Sequence, residues 1–473
     1  MDRNENLVWQ NFGLPEDLAR ARQAGLSQAA VRLDAMAQDP ALLAQQRACC
    51  AVQAEMLRRL PADYPFTAAE ALAELRRLRP STTEAEFAAL EAENRIDWRW
   101  IEGEKRYFRR LASSLAQTQE AFVTDAARRA REQEIKLLQQ AHAEMQRCGS
   151  AAAHIRLRAE LRFDGGVFDA ALAKARAAGR SGVRARIWLP LPAECPAQSG
   201  IVLEKASPSP AFIAPGDAPQ RTVYWELTLA ENRPVTLEYS YRVCAAYAEP
   251  LQPPVSGSSA SAPFLPPEQY LGEQAPQLVF TPFLRALTEA VTAGAASNAE
   301  KAARIYDYLT QHIEYRYMPA YFTLENIADG GACALRGDCG VQALTFITMC
   351  RIAGIPAAWQ SGLMVLPYEA GSHDWAMFWL PEKGWLYADC SFGSSAARRG
   401  DETLRRHYFG SLDPFRMAAN HAFQAALQPP SSDWRNDPYD NQSGEAELDG
   451  RGLWGSEYHT EYTVQAFEAG GQE

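Results

Sequence analysis

The chain has 473 residues, 47% of them hydrophobic and 22% charged, with a net charge of −11. That length and balance fit a globular protein of roughly two to four domains. The acidic total argues against a general nucleic-acid binder, and no uninterrupted apolar run is long enough to span a bilayer. The first twenty residues lack the basic start and apolar run of a secretory signal, and the nine cysteines are an odd number without disulfide-rich spacing. A reducing, cytoplasmic location is expected.

Residues 1–150 are expected to be helical. From Glu84 to Arg147 there is no Pro and little Gly, and the stretch is rich in Ala, Glu, Arg, Leu and Gln, residues that lose little on entering a helix. Ser81-Thr82-Thr83 with Glu86 is a start signal. Phe87, Leu90, Trp98, Ile101, Phe108, Leu111 and Leu115 recur near helical spacing. A long helical hairpin, acting as a scaffold or packing arm, is the expected role.

From His154 to Phe163 apolar and charged residues alternate, the pattern of a half-buried strand. Similar strands are expected at Val183–Trp188, Thr222–Leu229 and Val235–Val243, with turn signals at Asp164-Gly165-Gly166 and Pro215-Gly216-Asp217. Residues 151–248 are read as a β-sandwich-like domain. Pro, Ser and Gly dominate 249–267, a linker. Residues 268–428 are expected to form the catalytic domain and 429–473 a C-terminal extension.

Arg336-Gly337-Asp338-Cys339-Gly340-Val341 opens a helical run that Gly354 and Pro356 close. Cys339 is therefore expected in the first turn, where the dipole end and unpaired amides lower a thiol pKa and can hold an oxyanion. Ser372–Leu380 and Gly384–Ser391 are strand-like, with a turn signal between them. If Trp379 pairs with Trp385, His373 and Asp389 become diagonal neighbours on one face. A one-residue slip would separate them. Their hydrogen bond would fix the imidazole tautomer and stabilise the imidazolium formed when the thiol gives up its proton.

The order Cys339, His373, Asp389, carried by Gly337–Ala343, His373-Asp374-Trp375 and Gly384–Asp389, resembles the transglutaminase-like superfamily of papain-like thiol enzymes. The resemblance covers about residues 275–420 and implies an α+β fold: a helix bearing the Cys, packed on an antiparallel sheet bearing the His and Asp. Val183–Pro192 and Tyr239-Ser240-Tyr241 resemble the strand-rich domain that precedes this core in bacterial members. Asp413-Pro414-Phe415-Arg416 and Asp437–Gln442 resemble their tails. The resemblance makes Cys339 the nucleophile, His373 the base and Asp389 the orienting acid. It also implies an oxyanion donor upstream of the Cys, for which Tyr321 and Asn326 are both candidates. Three positions depart from the pattern. Asp374 stands where a small residue is common, Met377 where a Glu is, and Cys390 where a Pro follows the third catalytic residue.

Trp359 and Trp375 are candidates for a substrate wall, against the plainer reading of core aromatics. No Cys pair has zinc-finger spacing, so no metal is expected, and no cofactor is implied. His407, His421 and His459 have no partner pattern. The expected chemistry is acyl transfer on a peptide, protein or small amide through a thioester. Hydrolysis is favoured over amine transfer because water is always present and no amine-selective pocket can be read. The alternative is an idle transglutaminase-like scaffold or binding protein. The oligomeric state is left open.

Overall fold

The computed structural model describes residues 3–252 and 264–470. Most of the expected linker therefore lies outside the described residues. The fold is α+β: N-terminal helices, then a β-sandwich-like region, then a helix packed on an antiparallel sheet. Among the described residues no helix is long and apolar enough to cross a membrane.

The N-terminal part runs through helices such as Ala44–Asp63 and Glu84–Ala92. Thr83 caps the latter, accepting from the Glu86 amide at 3.1 Å, as its signal predicted. The expected helical hairpin is interrupted there. Trp98–Ile101 and Glu104–Tyr107 form an antiparallel hairpin instead, with Trp98 opposite Tyr107. Glu102 (φ 51°) and Gly103 (φ 75°) both take the left-handed region, the geometry of a tight two-residue hairpin turn. The aromatic and β-branched residues read as helical spacing are strand formers in this context. A long helix, Asp125–Cys148, then closes the region, capped by Thr124 and ended by Gly149 at φ 80°.

The strand expected at His154 runs Ser150–Phe163. Asp164 is not a turn but the cap of helix Gly165–Ala177, accepting from the Val167 amide at 3.0 Å. Two sheets share a core of Ile155, Leu157, Ile187, Trp225 and Leu237. Both sheets are completed by residues from the end of the chain. Tyr458–Gly470 pairs with Ser150–Phe163, and Glu445–Leu448 with Val183–Pro190. The segment after 428 is thus woven into the β-region rather than appended to it.

The remaining five-stranded sheet is antiparallel, in the order Phe409–Gly410, Gly384–Ala388, Glu369–Leu380, Ala357–Leu366, Arg416–Asn420. Helix Cys339–Ile352 packs on the face carrying Ala376 and Phe378. Phe346 meets Phe378 edge-on at 5.7 Å, a pair of the kind that adds about 0.5–1.5 kcal/mol beyond its buried area. Farther along the same face Leu363, Val365 and Met417 enter the β-sandwich core, while Trp375 and Ala418 lie on the other face against Leu412. One face of this sheet is therefore shared between the helix at one end and the β-region at the other.

Candidate active site

Trp379 pairs with Trp385, the register on which the sequence argument rested. It brings His373 Nε2 to 2.7 Å from Asp389 Oδ2. Asp389 ends the strand Gly384–Ala388 and caps helix Cys390–Arg398. Its Oδ1 accepts from the Phe392 amide at 3.0 Å and the Ser391 hydroxyl at 2.9 Å. Arg416 Nη1 lies 3.1 Å from Asp389 Oδ2, while its Nε and Nη2 reach Asp413 at 3.1 and 2.7 Å. Burial alone would raise the Asp389 pKa. His373, Arg416 and the Phe392 amide outweigh it and hold the carboxyl at about 2. Burial pulls His373 below its usual value, with Asp389 opposing. With Asp389 ionised, Nε2–H is the donor, which leaves Nδ1 as the basic nitrogen. Nδ1 makes no hydrogen bond among the described residues.

Cys339 is the first residue of its helix, and Asp338 caps it by accepting from the Val341 amide at 3.3 Å. The thiol is not hydrogen-bonded to His373. It donates to Asp374 Oδ2 at 3.2 Å. The reason is strand alternation. The helix packs on the Ala376–Phe378 face, and Asp374 shares that face. His373 and Trp375 belong to the other, where Trp375 packs against Leu412 and Ala418. The lowered thiol pKa expected from the helix start is also corrected. Burial, then the charges of Asp374 and Asp338, push the thiol well above its usual value. Asp374 is itself raised to about 8 by burial and by Asp338.

Of the two oxyanion candidates, Tyr321 stands at the site. Its hydroxyl donates to Asp338. A Cβ on Gly340 would fall 2.2 Å from Tyr321 Oη and 2.8 Å from Asp374 Oδ2. Gly340→Ala should accordingly destabilise the fold by about 1–3 kcal/mol, the usual range for overpacking; a thermal melt indistinguishable from wild type would contradict the packing described. Asn326 is engaged elsewhere, accepting from Asn11 at 2.7 Å. Neither tryptophan forms a wall. Trp359 is buried against Phe423, and buried Trp375 donates to Gln360 Oε1 at 2.7 Å.

Three participants were not assigned from sequence. Asp374 was visible only as a departure from the family pattern. Arg416 lies in the Asp-Pro-Phe-Arg segment that resembles bacterial tails. Gln442 lies in the second such segment. Its Nε2 donates to the His373 carbonyl at 2.9 Å and to Asp374 Oδ1, and its own carbonyl accepts from Tyr462 at 2.6 Å. The last strand of the β-region therefore braces the strand that carries both His373 and Asp374.

A family model described as the transglutaminase-like superfamily matches residues 285–390, which include Cys339, His373 and Asp389. No curated protein matches the chain. Among solved structures, similarity is found to a protein from Cytophaga hutchinsonii named as a candidate cysteine protease, at 12% identity and a TM-score of 0.39, covering 68% of this chain and 98% of that one. The periplasmic domain of TgpA from Pseudomonas aeruginosa is similar at 18% identity and a TM-score of 0.26, covering 52% of this chain and 98% of that one. A candidate protease from Parabacteroides distasonis follows at 13% and 0.19, covering 50% and 63%. These are partial likenesses, and the assignment rests on the matched segment and the elements it forms. Residues 285–390 are thus the part of this chain that is similar to the transglutaminase-like superfamily.

Proposed function

We propose that the protein is a cysteine-dependent acyl-transfer enzyme acting on amide bonds, with Cys339 as nucleophile, His373 as base and Asp389 as orienting acid. The supporting observation is the buried His373–Asp389 pair at 2.7 Å, which presents Nδ1 one strand position from the residue the thiol touches. In the working state the thiol turns from Asp374 toward Nδ1. Nδ1 takes the thiol proton as sulfur attacks the carbonyl, and returns it to the leaving amine. The thioester that remains is opened by water, with Nδ1 taking the water's proton. First-turn amides are the proposed oxyanion donors, joined by the Tyr321 hydroxyl once it releases Asp338. Hydrolysis of a peptide, protein or small amide is the reaction proposed. A cytoplasmic location belongs to this reading, supported by nine free cysteines.

One observation favours a second reading, an idle core used as a scaffold: the resting thiol is bonded to a carboxyl group and held protonated. Alkylation of Cys339 by a neutral reagent separates the two. His373→Ala should slow labelling at pH 7 by about tenfold or more if Nδ1 serves the thiol. At about pH 9 Asp374 is ionised and opposes the thiolate, so Asp374→Ala should quicken labelling by about tenfold, one pKa unit of thiolate. Labelling indifferent to His373 in both backgrounds would leave only the scaffold.

A further inference from the structure

The imidazole of His373 also forms part of the wall of a cleft of about 200 Å3 between helix Asp125–Cys148 and helix Cys390–Arg398. Tyr315 borders it, and its rim carries Arg131 from the first helix, Arg398 from the second and Arg399, which follows it. Among the described residues none of these guanidiniums is ion-paired. Arg131 donates to the Ala116 carbonyl at 3.1 Å and to Gln117 Oε1 at 3.3 Å, both neutral. Arg399 donates to the Ser395 hydroxyl at 2.7 Å. Burial lowers the Arg398 pKa, the charge of Glu314 opposes, and Arg399 and Arg131 repel it. Nearby carboxylates are committed elsewhere. Glu314 holds Arg95 at 3.1 Å and Arg316 at 3.3 Å. Asp401 accepts from Gln139 at 2.7 Å and caps the Leu404 amide at 3.0 Å. Glu134 also lines the cleft; burial and then Glu369 raise its pKa, with Arg399 opposing, and among the described residues it makes no ion pair with the three arginines.

Three unpaired cations beside the proposed base, in a chain of net charge −11, form a local field opposite to the whole. The volume is below the roughly 300 Å3 at which sites for whole small molecules begin, so it suits one side chain or chain end. Planar guanidiniums are the groups that grip carboxylates by paired hydrogen bonds. We propose that this cleft binds a carboxylate borne by the residue next to the scissile amide, so that the enzyme selects acidic peptides. The inference rests on the acyl-transfer reading above. It also gives the N-terminal helical region a function, because Arg131 comes from it.

The test uses the full-length protein and a peptide-amide series differing only in the residue beside the scissile bond: Glu, Gln, Lys or phosphoserine. Wild type should favour Glu over Lys by about tenfold in kcat/KM, mainly through KM, the order expected of a charge pair at a recognition site. Arg131→Ala/Arg398→Ala should bring the Glu:Lys ratio close to one. Arg131→Glu should turn the preference toward Lys. Should the double variant not fold, Arg399→Gln, at an exposed position, must lower the same ratio. Turnover of the Gln peptide with no Glu:Lys preference would overturn this inference and leave the acyl-transfer reading standing. Phosphoserine preferred to Glu would overturn the carboxylate assignment in favour of phosphate. Turnover of none of the four, with an unreactive Cys339, would overturn both.

Discussion

Cys339→Ala should leave amide turnover at the uncatalysed level, and Asp389→Asn should lower it by about 10⁴-fold, the loss seen when the orienting acid of a nucleophile–His–Asp array is made neutral. The second variant is the sharper test. An amide at 389 keeps the shape of the carboxyl and can still accept from the Phe392 amide and Ser391 hydroxyl, which now bond Oδ1 at 3.0 and 2.9 Å. Facing His373 Nε2, its NH2 group would donate rather than accept. The ring would then place its proton on Nδ1, the atom needed to receive the thiol proton. The helix cap survives while the tautomer inverts, so the variant should still fold, with a lowered melting temperature from the lost charge beside Arg416, while turnover falls far more than that loss of stability explains. Equal turnover by wild type and Asp389→Asn would remove the His373–Asp389 pair from the mechanism. Turnover by Cys339→Ala would remove the mechanism itself.

Where the site was legible in the sequence, it was through local rules. The loop between Leu380 and Gly384 sets the strand register, and from Trp379 opposite Trp385 the His373–Asp389 contact follows. Gly354 and Pro356 bounded the helix that begins at Cys339. What was not legible is the face on which that helix lies. Period-two alternation places His373 and Asp374 on opposite faces but does not say which one meets the helix, and the answer decides the partner of the thiol. Arg416 and Gln442 come from segments 43 and 69 residues from His373, and nothing local announces their pairing. The hairpin at Trp98–Tyr107 failed for a related reason. Its residues fit an approximate helical period, and Glu102-Gly103 was too short a signal to outweigh it. The C-terminal strands likewise carry no mark of the sheets they complete, since long-range pairing is settled by burial in a shared core.

Arg416→Met should destabilise the protein by about 3–5 kcal/mol at pH 7, the cost of leaving buried charge without its partner. Met fills a similar apolar volume beneath Phe392 and Trp375, whose rings now lie 4.6 and 5.6 Å from the guanidinium, so lost packing is a small part. The larger part is electrostatic. Asp389 is nearly inaccessible, and Arg416 is its permanent cation, while His373, whose pKa burial lowers, adds a hydrogen bond. The pH dependence identifies the cause. Asp389 is held at about 2, below its ordinary 3.8. Its ionisation therefore stabilises the fold fully above about pH 4, and that contribution is lost as pH falls toward 2. Without Arg416 the folded-state value must rise, so the acid-induced loss begins at higher pH. Urea denaturation at pH 7 and pH 3 reads both effects. The gap between wild type and variant should be widest at pH 7 and narrow at pH 3, because a protonated carboxyl needs no cation. A gap that stays constant with pH would assign the cost to packing, and a gap below about 1 kcal/mol would mean that His373 and the helix cap suffice to hold the carboxylate. In that case Arg416 would serve the orientation of Asp389 rather than its charge, and Asp389→Asn would remain the decisive variant for the site.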